Sequence, residues 1–135
     1  MKVLFVCNAN IGRSQTAEAI FNKLSKKNHA VSAGLDISEV KGTTIGERAP
    51  GRVESLKELG IDISQNKPKQ LTHEMARQAG RIICMCPEKP VPGFLDKGKL
   101  EAWNVEDGKG KSYEFVRRNR DQIKALVEKL VREIG

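Results

Sequence analysis

Four apolar residues in succession, Val3-Leu4-Phe5-Val6, open the chain and stop at Cys7. A run without polar alternation is what a strand buried on both faces requires, and such strands belong to parallel sheets. Asn8-Ala9-Asn10-Ile11-Gly12 is turn-forming, and from Ser14 the apolar residues Ala17, Ile20, Phe21 and Leu24 recur at helical spacing. Cys7 therefore ends a strand, and Arg13-Ser14 begins a helix. Ala30-Val31-Ser32 reads as a second strand stopping at Gly34. From Pro50, the positions Val53, Leu56 and Leu59 mark a helix with Gly60 as its stop. "LTHEMARQAG" is a further short helix, capped by Thr72 and ended by Gly80, that leads into the strand-like "RIICMC". Pro87, Pro90, Pro92 and Gly93 enforce a loop, a fourth strand is expected from Leu100 to Val105, and "EDGKGKS" is an exposed loop. The closing stripe of Phe115, Val116, Ile123, Leu126, Val127, Leu130 and Ile134 describes an amphipathic helix.

Strands alternating with helices predict an α/β three-layer sandwich: a four-stranded parallel sheet with helices on both faces, joined by right-handed crossovers. Ligands of such folds bind beyond the carboxyl ends of the strands. Cys7, Cys86 and Asp107 all fall at that end.

Size and composition narrow the partners. At 135 residues and 39% hydrophobic, the chain is expected to form a single domain over 1–135. No stretch approaches the roughly 20 apolar residues that cross a bilayer, and Val3 to Val6 is shorter than a signal-peptide core of about 7 to 15, so a cytoplasmic monomer without a membrane partner is expected. Three cysteines form neither a disulfide framework nor a CxxC pair, which points to reduced thiols available for chemistry. The net charge of +7 favours an anionic partner. With only 4% aromatic residues, a stacking platform for nucleic acid is poorly supplied, and charge alone does not choose between an acidic protein and a small phosphate or other oxyanion.

A loop between a buried strand and a helix start presents backbone N–H groups and the positive end of the helix dipole to an anion. Arg13 adds a planar fork of donors suited to phosphate. The same field favours the thiolate of Cys7, and Ser14 could donate its hydroxyl to that thiolate. Nucleophile and anion site thus share the segment Cys7, Asn8, Ala9, Asn10, Ile11, Gly12, Arg13. A Cys-x5-Arg spacing alone is weak evidence; its place at a strand-to-helix turn, with Ser after the arginine, gives it meaning.

"VCNANIGRS" resembles the phosphate-binding loop of the low-molecular-weight protein tyrosine phosphatases and of their relatives, the thioredoxin-coupled arsenate reductases. "SAG" at Ser32 to Gly34, "LGIDIS" at Leu59 to Ser64, "QLT" at Gln70 to Thr72 and "EDGKGKSYEFVRRNRDQI" extend the resemblance over nearly the whole chain. It implies a fold like theirs, with Cys7 as nucleophile, Arg13 binding the oxyanion, Ser14 supporting the thiolate, Asn10 bracing the loop and Asp107 as general acid, with Glu106 beside it. It implies a phosphorylated protein or small phosphomonoester as substrate, or arsenate with a thiol reductant, and no cofactor and no catalytic metal. In some reductases of the family a potassium ion lies near residues matching Asn10, Glu18, Ser32 and Asp62, four positions that capping and hydrogen bonding explain equally well. His29 and His73 have no metal-ligand spacing.

The chain departs from the family pattern in three places. Ala9 stands where glycine is usual, Gly12 where a second cysteine is frequent, and Asp107-Gly108 where an Asp-Pro pair is the rule. Were Ala9 to need positive φ, it would cost roughly a kcal/mol. Phosphotyrosine-specific members set aromatic residues after the acid, where this chain has Gly108, Lys109 and Gly110. Cys84 and Cys86 are expected on one face of the third strand, Cys84 as packing and Cys86 as a possible redox partner of Cys7 if the first and third strands are neighbours. The leading expectation is a cysteine-dependent phosphatase working through a phosphocysteine. The alternatives are an arsenate reductase using Cys7 and Cys86, and a non-catalytic phosphate-binding module.

Overall fold

The computed structural model describes residues 1–135. Its elements run β1 (Lys2–Cys7), α1 (Arg13–Leu24), β2 (His29–Gly34), α2 (Ile45–Arg48), α3 (Pro50–Lys57), α4 (His73–Gln78), β3 (Arg81–Cys84), β4 (Leu100–Ala102) and α5 (Tyr113–Ile134). The four strands are parallel, in the order β2-β1-β3-β4. β1 is central, which is why Val3, Leu4, Phe5 and Val6 are all fully buried and why the sequence shows no alternation there. Cys7 pairs with Gly34 on one side, while Val6 pairs with Cys84 on the other.

The pleat of the sheet sorts its side chains into two layers. Val3, Phe5 and Cys7 face a core closed by Ala17, Ile20 and Phe21 of α1, Val53 and Leu56 of α3, and Ile123, Val127 and Leu130 of α5. Leu4, Val6, Ile82 and Cys84 face the opposite layer, covered by Ala76 of α4, Leu71 and Leu95. Helices on both faces give the expected three-layer sandwich.

Two boundaries differ from the sequence pattern. α2 was not marked by apolar spacing, because only Ile45 of its four residues is buried; its signal is the capping box formed by Thr44 and Glu47. β4 ends at Ala102, while Trp103 and Val105 are buried in an irregular segment that pairs through Trp103 N–H to Cys84 O. Gly60 closes α3 as expected: it takes φ of +78°, and Ile61 N–H returns to Leu56 O.

The chain leaves β1 toward β2 on one side and later returns as β3 on the other. That reversal opens a crevice at the carboxyl end of β1, above which residues 8–12 lie.

Candidate active site

The loop after β1 is held by a buried hydrogen-bond network centred on Asn10. Asn10 Nδ2 donates to Ser14 Oγ at 2.7 Å and to Ser32 Oγ at 2.9 Å. Its Oδ1 accepts from Gln15 Nε2 at 3.0 Å and from Lys69 N–H at 2.8 Å. Asn10 is also the one non-glycine residue with positive φ, +57°, a conformation asparagine tolerates better than most. The strained position is therefore Asn10, and Ala9 carries none of the cost that positive φ would have brought. On the far flank, Leu35 N–H bonds to Cys7 O and Asp36 N–H to Asn8 O. Gly34 lets these segments meet, since a Cβ there would stand 2.9 Å from Ala9 C and 3.0 Å from Asn10 N.

Cys7 Sγ lies 2.9 Å from Ser14 Oγ. With Asn10 donating to that oxygen, the Ser14 hydroxyl proton is free to point at the sulfur. A cleft of about 260 Å³ opens above, lined by Cys7, Asn8, Ala9, Ile11, Gly12 and Arg13 together with Asp107. Of the sequence-predicted loop residues, only Asn10 turns away from it, fully buried. No aromatic side chain lines the cleft; Lys89 and Lys109 are among its remaining walls.

Arg13 is 2% exposed and held by a residue that sequence reasoning missed. Its Nη1 and Nη2 donate to the two carboxylate oxygens of Glu88 at 3.0 and 2.8 Å, and Nη1 also donates to Val105 O at 3.0 Å. Asp107 Oδ2 lies 3.9 Å from Nη2. Burial works against the Arg13 charge, but Glu88, Cys7 and Asp107 more than offset it and raise its pKa. The Arg13 hydrogen bonds in turn hold the Glu88 carboxyl below the usual carboxylate range. Glu88 gave no signal, because in "PEKP" an acid beside a lysine reads as a solvated loop.

Arg52 was missed as well, since it falls off the apolar stripe of α3. It is 4% exposed, and its guanidinium lies against Gly12 and Gly108. Burial pushes its pKa down to about 10, against the favourable charges of Cys7 and Asp107.

β3 ends at Cys84, which packs in the layer opposite Cys7, and Cys86 lies two residues past the end of the strand. Met85 N–H bonds to Val6 O, which carries the backbone on past the end of β1. Both thiols are buried; burial raises Cys84 to about 11, and burial followed by the charge of Cys7 raises Cys86 to about 12.

The residues matching the family's potassium site do not fit an ion here. Lys69 Nζ stands 3.4 Å from Glu18 Oε1 and 3.5 Å from Ser32 Oγ, so an ammonium already supplies the positive charge. Asp62 is engaged by Ser64 N–H.

Comparison with known proteins agrees with this geometry. The family model described as low molecular weight phosphotyrosine protein phosphatase matches residues 2–135, and the chain belongs to that family. It is 35% identical to the glutaredoxin arsenate reductase of Synechocystis, covering 99% of this chain and 98% of that protein. It is 29% identical to an arsenate reductase of Staphylococcus aureus, covering 93% and 92%. Among solved structures, the low molecular weight protein tyrosine phosphatase of T. tengcongensis superposes with a TM-score of 0.88 at 30% identity, over 99% of both chains. An arsenate reductase in its phosphate-binding state superposes with 0.85 at 31% identity, over 99% of this chain and 98% of that one. The fold is thus that of the low molecular weight phosphatases, and the family homologues act as phosphatases or as arsenate reductases.

Proposed function

We propose that this protein is an arsenate reductase, in which Cys7 attacks the oxyanion and Cys86 completes the reduction. The observation that carries the reading is a second free, buried thiol, Cys86, just past β3 and beside the Met85–Val6 hydrogen bond that leads to the carboxyl end of β1, where Cys7 lies. The similarity to two arsenate reductases supports it. So does a cleft without the aromatic walls that a phosphotyrosine ring would use.

The chemistry follows from the geometry. Arg13, pinned by Glu88, and the amides of residues 8–12 hold arsenate over Cys7. The thiolate, steadied by Ser14, forms a sulfur–arsenic bond while a hydroxyl leaves as water on a proton from Asp107. Cys86 then attacks Cys7 Sγ as its thiol proton passes to an oxygen of the departing arsenic oxyanion. The electron pair of the sulfur–arsenic bond stays on arsenic, which departs as arsenite, and a Cys7–Cys86 disulfide remains. An external thiol reductant returns both cysteines to the reduced state. Burial holds Cys86 as the protonated thiol until that step.

A second reading is favoured by Asp107, which lines the same cleft as Cys7. With a phosphomonoester, Asp107 would protonate the leaving alkoxide and then activate water to hydrolyse the phosphocysteine, with no need of Cys86.

The two readings part on one variant. Arsenite release with a thiol reductant, and p-nitrophenyl phosphate hydrolysis, are to be measured for wild type, Cys7→Ser and Cys86→Ser. Cys7→Ser is expected to abolish both reactions, and Cys86→Ser to abolish arsenate turnover while sparing hydrolysis. Full arsenate reduction by Cys86→Ser would overturn the proposal; hydrolysis alone in wild type would establish the phosphatase. Phosphate binding with neither turnover would leave a binding module.

A further inference from the structure

Arg52 is a buried cation without a carboxylate of its own. It is 4% exposed, and its fully buried Nη1 has no hydrogen-bond acceptor within reach. An unpaired guanidinium is costly to bury unless an opposite charge stands near. The anions whose charges favour it are Cys7 and Asp107.

Its neighbours give the position meaning. A Cβ at Gly108 would stand 2.9 Å from Arg52 Nη2, and one at Gly12 would stand 3.5 Å from Nη2 and 3.8 Å from Nε. Gly12 lies just before Arg13 and Gly108 just after Asp107, so both glycines sit in the segments that flank the cleft. The guanidinium takes the space a side chain at Gly108 would need and stands at ordinary contact distance from Gly12. Arg13 and Arg52 are held differently: both terminal nitrogens of Arg13 are engaged by the Glu88 carboxylate, whereas Arg52 Nη1 has no acceptor. Arg48, Lys109 and Lys111 line a neighbouring cavity of about 250 Å³ with Arg52, and no carboxylate but Asp107 joins them.

We propose that Arg52 is a positioning residue of this centre: wedged between the loop of residues 8–12 and the Asp107-Gly108 turn, it supplies the uncompensated positive charge that favours the Cys7 thiolate and holds Asp107 at the cleft. The proposal rests on Cys7 being the nucleophile and holds for either oxyanion reaction.

The test separates charge from shape. Alkylation of Cys7 by iodoacetamide is followed by mass spectrometry across pH 4 to 9 in wild type, Arg52→Met and Arg52→Lys, with folding checked by circular dichroism. In Arg52→Met the pH midpoint of alkylation is expected to rise by about one unit or more, and in Arg52→Lys to return toward wild type. Turnover by Arg52→Met is expected to fall about tenfold or more in kcat, with KM changed less. Gly108→Ala, which brings a Cβ against Nη2, is expected to lower kcat in the wild-type background and to have little further effect in Arg52→Met, a non-additivity that contact requires. A wild-type alkylation profile in folded Arg52→Met would overturn the proposal. If Arg52→Met does not fold, a shifted midpoint in Arg52→Lys that exceeds wild type by as much as one unit, or additive Gly108→Ala and Arg52→Lys effects, would overturn it. Turnover retained by Cys7→Ser would instead dispose of the functional reading, and the alkylation profile distinguishes that failure from this one.

Discussion

Glu88 and Arg13 form a two-point ion pair beside the cleft, and its geometry has a pH signature. The folded carboxyl titrates below its unfolded value of about 4.3 because Arg13 donates to both its oxygens. The stability this contributes is present above the unfolded value and is lost as pH falls through the lower, folded one. Urea unfolding of wild type and Glu88→Gln should therefore differ at pH 6 to 7 and converge below about pH 4. The difference should be modest, because Glu88 is 44% exposed and solvent screens the pair. Larger separation at pH 3 than at pH 7 would contradict the linkage. At this scale residue type and spacing pointed to Cys7, Arg13 and Ser14, and the family resemblance to Asp107; the structure brings Cys7, Arg13 and Asp107 to one cleft, with Ser14 against the Cys7 sulfur. The sequence was silent about Glu88 and Arg52, because their importance comes from residues 75 and about 40 positions away along the chain. No local pattern encodes such a contact.

The elements were legible where burial leaves a periodic trace. β1 announced itself as an unbroken apolar run because it is the central strand, and α5 because its buried residues Val116, Ile123, Val127 and Leu130 keep one face. β4 was misjudged at its end since Trp103 and Val105 are buried without being paired as a strand, and burial is all that the sequence pattern reports. α5 packs along α1 and α3, and Ile123 and Val127 are its fully buried contacts with the core. Ile123→Ala is expected to cost about 2 to 5 kcal/mol in urea unfolding, with the spread set by how far the cavity collapses. Ser112, whose side chain accepts from Phe115 N–H at the start of α5, should cost only about 1 kcal/mol as Ser112→Ala. If the cap variant were the more damaging, the helix would be held by its end and not by its face.

As a whole molecule, the chain places its cleft where β1 parts from its neighbours, and its net charge is +7. A ligand that binds the folded state alone adds to its stability by mass action. Inorganic phosphate at about a hundred times its dissociation constant should stabilise the protein by about 2.7 kcal/mol, read as a rise in melting temperature. The gain should shrink as sodium chloride is raised, through screening, and disappear in Arg13→Ala. A rise that survives in Arg13→Ala would place phosphate elsewhere on the basic surface.

Lys69 gives the loop a property that free ions could not. Its ammonium stands at Glu18 and Ser32, and its backbone N–H reaches Asn10, so one residue touches the loop's brace both through charge and through main chain. A dissolved cation is present only in proportion to its concentration, whereas a tethered one is present whenever the chain is folded. The protein carries its own counter-ion, and the charge that steadies its reactive loop cannot be dialysed away.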